Sequence, residues 1–185
     1  MGYGFRPVQM AGSAYNTGGF LEVPINMDNV TTDIFNGECV TFTANKGIDR
    51  LTDSVSNAET TAGVCVGARW ETASGDVKWG QFYDGATGNT EVYIFVVPVR
   101  DAIFRVQSDA AWNADQLGDN CNTTGTSGST TTGNSDLKAD VGESGSNAPL
   151  RVVGVIQDGR NELSTTDNPD ILVRFLDGSI QDILG

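Results

Sequence analysis

TEVYIFVVPVRDAIFRVQ, spanning Thr90 to Gln107, is the densest apolar run in the chain, and it reads as the pair of strands around which the rest is arranged. Val92 to Val97 is apolar without a break, aromatic or β-branched throughout, as suits a strand covered on both faces. The run is too short to cross a bilayer. Pro98 has no N–H to give to a ladder, so it belongs at an end or an edge. Arg100 and Asp101 form a corner, after which Ile103 to Gln107 resumes as a second strand. Nothing in the run is chemically reactive. It organises a fold, and the function is to be sought elsewhere.

Outward from this run the pattern stays β. Upstream, Phe20 to Ile25 is a short edge strand broken by Pro24, and Asn36-Gly37 is a turn signal. Cys39 to Thr43 alternates, which points Val40 and Phe42 inward. Lys46 to Ala62 is polar and reads as loop. Gly63 to Trp70 is a further strand, and Ser74 to Asp76 turns the chain into Val77 to Tyr83, with Trp79 and either Val77 or Tyr83 on one face. Downstream, Ser108 to Leu117 predicts one short helix capped by Ser108 or Asp109, with Trp112 plugging an end of the fold. Gly118 to Asp136 has no aliphatic residue and predicts a long polar surface loop over 118–136. Arg151 to Ile156 and Ile171 to Phe175 close the sheet. About eight short strands separated by turn signals predict a mainly β protein, an antiparallel β-sandwich or barrel of jelly-roll-like or small-barrel type. Residues 20–176 form its single domain, and a loose tail follows over 177–185.

Residues 1–19, MGYGFRPVQMAGSAYNTGG, carry five glycines, two tyrosines, a phenylalanine and one arginine, without periodicity. They predict an extended N-terminal arm and not an ordinary strand. Folded back or docked on a neighbour, its aromatics need cover, and the docked state is the favoured expectation. Tyr3, Phe5, Arg6, Pro7 and Tyr15 are then the candidate partner-binding residues, with Arg6 the one cation before Lys46.

Composition narrows the function. Acidic residues number 24 against 11 basic, a net charge of −13. A surface of that sign repels phosphate backbones and anionic lipid, so neither nucleic acid nor membrane is an expected partner. No histidine is present, which removes the commonest general base, the commonest metal ligand and every Ser-His or Cys-His nucleophile. Cys39, Cys65 and Cys121 are odd in number and widely spaced, the usage of reduced thiols, though a Cys39–Cys65 bridge stays open. The Gly-rich N-terminus has no apolar core of a signal peptide. Neither GxSxG, GxGxxG nor a phosphate-binding GxxxxGK[ST] occurs. Asp115, Asp119, Asp136, Asp140 and Glu143 do not follow the EF-hand spacing and read as a solvated acidic run. The expectation is no catalytic residue, no cofactor and no metal.

Four segments carry a family resemblance: Gly2 to Val8 (GYGFRPV), Asp101 to Gln107 (DAIFRVQ), Gly125 to Gly133 (GTSGSTTTG) and Leu150 to Val155 (LRVVGV). They look like segments of structural proteins of tailed bacteriophages, especially marine and cyanobacterial ones, and within that group the chain resembles the capsid decoration, or cement, proteins. The resemblance implies a β-rich virion protein on the outer capsid surface, made in the host cytoplasm. It further implies the major capsid protein as partner, bridged by an arm, and a homo-oligomer with a trimer favoured over a dimer. A virion fibre or host-adhesion β domain is the alternative, and a ligand-binding barrel and a hydrolase are more distant rivals.

Overall fold

The computed structural model describes residues 2–10, 19–26, 31–43, 47–51, 60–100, 102–125, 128–142, 148–156 and 167–181. They form two antiparallel sheets. The first has the order β1 (Arg6–Met10), β8 (Ala102–Gln107), β12 (Asp170–Phe175), β11 (Leu150–Val155), β9 (Asn120–Thr124) and β10 (Lys138–Asp140). The second runs β2 (Leu21–Pro24), β7 (Thr90–Pro98), β5 (Gly63–Glu71), β3 (Cys39–Phe42) and β4 (Ile48–Arg50), and β6 (Val77–Gly80) pairs with the far end of β5.

The two strands of the central run lie in different sheets. β7 belongs to the second and β8 to the first, so the corner at Arg100 is a crossing between layers and not a hairpin. Asp101 lies outside the described residues. Both faces of β7 are covered, as the unbroken apolar run requires. Val92, Ile94 and Val96 enter one core while Val97, followed by Val99, enters another. The inter-sheet core joins Phe104, Val106, Leu150, Val152, Ile171, Val173 and Phe175 of the first sheet to Cys39, Val64 and Val97 of the second. The other core lies inside the second sheet, which curls: just past β2, Ile25 bridges Ile48 of β4 in parallel, so the outer strands meet around Ile94, Trp70 and Tyr83. The architecture is a β-sandwich whose second sheet curls on itself.

Several expectations are corrected. The N-terminal segment contains a strand after all: β1 pairs with β8, Arg6 opposite Arg105 and Met10 opposite Ala102, with a bulge between Pro7 and Gln9. An edge strand with a bulge tolerates a proline that a central strand would not. No helix forms over Ser108 to Leu117. The backbone donors of Ser108 and Asp109 bond to the Pro169 and Ala139 carbonyls at 2.8 and 2.9 Å, tying the start of the segment to the residue before β12 and to β10. What remains is a 3-10 turn over Ala114–Gln116, where Asn113 and Gln116 form a reciprocal cap. Trp112 does pack against the inter-sheet core. The polar stretch 118–136 is not loop throughout, because β9 lies within it and buries Cys121 and Thr123. The start of the tail is docked: Gln181 accepts from the Thr41 hydroxyl and the Phe42 amide at 2.8 and 2.6 Å, and Ile180 bridges Thr61.

The cysteines are buried and unbridged. Cys39 sits opposite Val64 in the β3–β5 pair, so Cys65 must point to the other face. Cys39 accordingly enters the inter-sheet core and Cys65 the core of the curled sheet.

Candidate functional site

The structure places Tyr3, Phe5, Arg6 and Pro7 on the chain's own domain, with Phe5 buried in its core, Tyr3 and Arg6 half-buried and Pro7 exposed. Phe5 is wholly buried, edge-on to Phe104 at 6.2 Å and tilted on Phe175 at 5.6 Å. Its amide donates to the Gly37 carbonyl at 2.9 Å. Gly4 approaches that carbonyl with φ 71°, and a Cβ there would come within 2.5 Å of it. Only glycine permits the contact. The Tyr3 hydroxyl donates to Asp170 at 2.5 Å, and Arg105 reaches the same carboxylate through Nε at 2.8 Å. Burial, then the Asp170 carboxylate, pushes the Tyr3 hydroxyl well above the usual phenol range. Arg6 donates to the side-chain oxygens of Asn36 and Asn134. Pro7 is exposed at the edge of the sheet. Tyr15 lies outside the described residues. With Phe5 in the core, the N-terminal segment contributes to the packing of the domain, while Pro7, Val8 and Gln9 remain exposed along its edge strand.

The outer face of the second sheet carries an exposed aromatic cluster. Along β7 the side that delivers Val97 to the first sheet carries Phe95 and Tyr93 beyond it. In register, Glu22 and Gly67 flank Phe95, and Pro24 and Arg69 flank Tyr93, with Trp79 next in the row. Phe95 is covered by two aromatics that are themselves exposed: Phe20 at 4.6 Å and Trp79 at 5.6 Å between ring centroids. Trp79 is 65% exposed, Val77 60% and Phe20 46%. Arg69 stacks over the Tyr93 ring at 4.1 Å and pairs with Glu22 at 3.1 Å. These side chains are neighbours on the surface and not singly scattered apolar residues.

The backbone makes this face rigid. β7 is hydrogen-bonded on both sides, and β6 is held along the end of β5 by four residue pairs from Ala68–Gly80 to Glu71–Val77. Sequence reasoning placed Trp79 on one face with Val77 or Tyr83 but did not find that face exposed. Val77 and Trp79 share it, while Tyr83 is buried in the curled sheet. The available signal was Lys78 between them in a four-residue segment ending at Gly80, the composition of a short edge strand.

Among the described residues no group of three or more cysteine, aspartate or glutamate side chains is placed to hold a metal ion. The Asp136 carboxylate accepts from the Gly2 amide at 2.5 Å. Asp115 sits in the first turn of the 3-10 segment, and Glu143 lies outside the described residues. No described helix is long and apolar enough to cross a membrane. Comparison with protein-family models, curated proteins and solved structures finds no match to this chain.

Proposed function

We propose that this chain is a non-catalytic structural protein of a phage particle, which binds the outer surface of the capsid and stabilises it by bridging major capsid subunits. The observation that carries the reading is the exposed aromatic pair Phe20 and Trp79, set over the buried Phe95 on a hydrogen-bonded sheet. Aromatic side chains with the Arg69–Glu22 pair beside them have the composition favoured in protein-docking surfaces, which supports the reading. The acidic surface suits a basic or apolar shell, and a lattice that repeats the contact lets modest single-site affinity suffice. Homo-oligomerisation through the same kind of face, with a trimer favoured, belongs to this proposal.

The second reading is host adhesion. An exposed tryptophan with a tyrosine–arginine stack beside it also suits an aromatic platform for sugar rings. Particles stripped of the protein and re-decorated with it separate the two. Cementing requires stripped particles to break at a lower temperature than re-decorated ones. Equal stability, with loss of attachment to cells, contradicts cementing and selects adhesion.

A further inference from the structure

On the first sheet, away from the aromatic face, a cleft of about 530 Å³ is lined by arginines in a chain of net charge −13. Arg100 comes from the corner, Arg151 from β11 and Arg174 from β12, while Ile103, Leu117 and Val153 give it apolar walls. Asp177 is the one acid among its lining residues. The volume falls in the range of sites that enclose a ligand or a few residues of a peptide.

Arg151 and Arg174 are directly opposite each other across the β11–β12 ladder. Like charges in register repel, and a sheet with 24 carboxylates in the chain could have matched either one with an acid. Arg151 is steadied by its Nε donating to Asn120 at 3.1 Å, and its two terminal nitrogens have no acceptor among the described residues. Arg174 is exposed and has no ion-pair partner among the described residues. Leu117, 58% exposed, adds an uncovered aliphatic wall to the same cleft. Paired guanidiniums over an apolar wall match a carboxylate beside an aliphatic side chain, in charge and in the fork geometry of arginine.

We propose that this cleft binds an acidic peptide segment of a partner protein, with a carboxylate held between Arg151 and Arg174 and a neighbouring aliphatic side chain against Leu117 and Val153. The site is separate from the aromatic face and does not rest on the capsid reading.

The test uses the full chain and a fluorescent peptide, acetyl-Glu-Leu-Asp-Ile-Glu-amide, followed by anisotropy. Binding is expected, with loss when the acids become amides. Arg151→Ala and Arg174→Ala should each weaken it by about tenfold or more, the loss of one charge-assisted contact. Arg174→Glu should transfer preference to the corresponding lysine peptide, which checks the site without relying on lost signal. Unchanged binding in all three variants overturns the proposal, as does equal affinity for the amide peptide. Dimerisation of the chain that disappears in Arg174→Ala without any peptide binding overturns it too, and assigns the cleft to a second copy.

Discussion

Phe5 meets Phe104 edge-on inside the inter-sheet core, so a residue five positions from the N-terminus packs against the strand that follows the corner of the central run. Phe175 completes a three-ring cluster, tilted on Phe5 and edge-on to Phe104 at 5.8 Å. Truncating Phe5 removes a fully buried ring from a close-packed site. Phe5→Ala is expected to cost ~3–5 kcal/mol, a large share of the stability of a domain this size. Urea unfolding checks it, and deletion of residues 2–10 should abolish cooperative unfolding. A truncated chain with the wild-type midpoint would mean that the ring cluster contributes nothing.

Glu38 makes stability depend on pH in an unusual direction. Its side chain is buried, and burial outweighs both the Phe35 amide that donates to it at 2.7 Å and the Arg50 charge, pushing its carboxyl up to about 7. A carboxyl with a raised folded value stabilises fully below its unfolded value, and that stabilisation is lost as pH rises through about 7. At roughly 1.4 kcal/mol per pH unit, the loss between pH 5 and pH 8 is ~2–3 kcal/mol. Glu38→Gln keeps the acceptor for Phe35 and removes the ionisation. The variant should gain on the wild type by that amount between pH 5 and pH 8. Parallel stability profiles for the two proteins would contradict the assignment.

All three thiols should be silent in the native state. Burial pushes Cys65 and Cys121 up to about 12 and Cys39 higher still, so almost no thiolate is present at neutral pH. An aromatic disulfide reagent is expected to label three thiols per chain only at the rate of unfolding. Fast labelling of any of them in the folded protein would show a core more open than this one.

How far the fold could be read from the sequence follows from where each strand finds its cover. β7 carries its own evidence, because a strand buried on two faces must be apolar at every position. β3, β5, β11 and β12 are legible for similar reasons. β1 and β9 are not: Arg6–Met10 is an edge with a proline and a bulge, and Asn120–Thr124 points only Cys121 and Thr123 inward. Their strand character comes from partners distant in the chain, β8 and β11, and leaves no periodic trace. The candidate site was hidden for a related reason. Whether Trp79 is core or surface depends on whether another layer covers β6, and the alternation of Val77 and Trp79 is the same in either case.

Cosedimentation with purified phage shells tests most directly the proposed docking through Trp79 and its aromatic neighbours. Trp79→Ser changes a side chain that is 65% exposed, so the melting temperature should stay within a few degrees of the wild type. Binding should fall by ~2 kcal/mol or more, about thirtyfold in affinity, the loss typical of a central interface aromatic. Trp79→Ser and Phe20→Ser proteins that both pellet with shells at wild-type affinity would contradict the account.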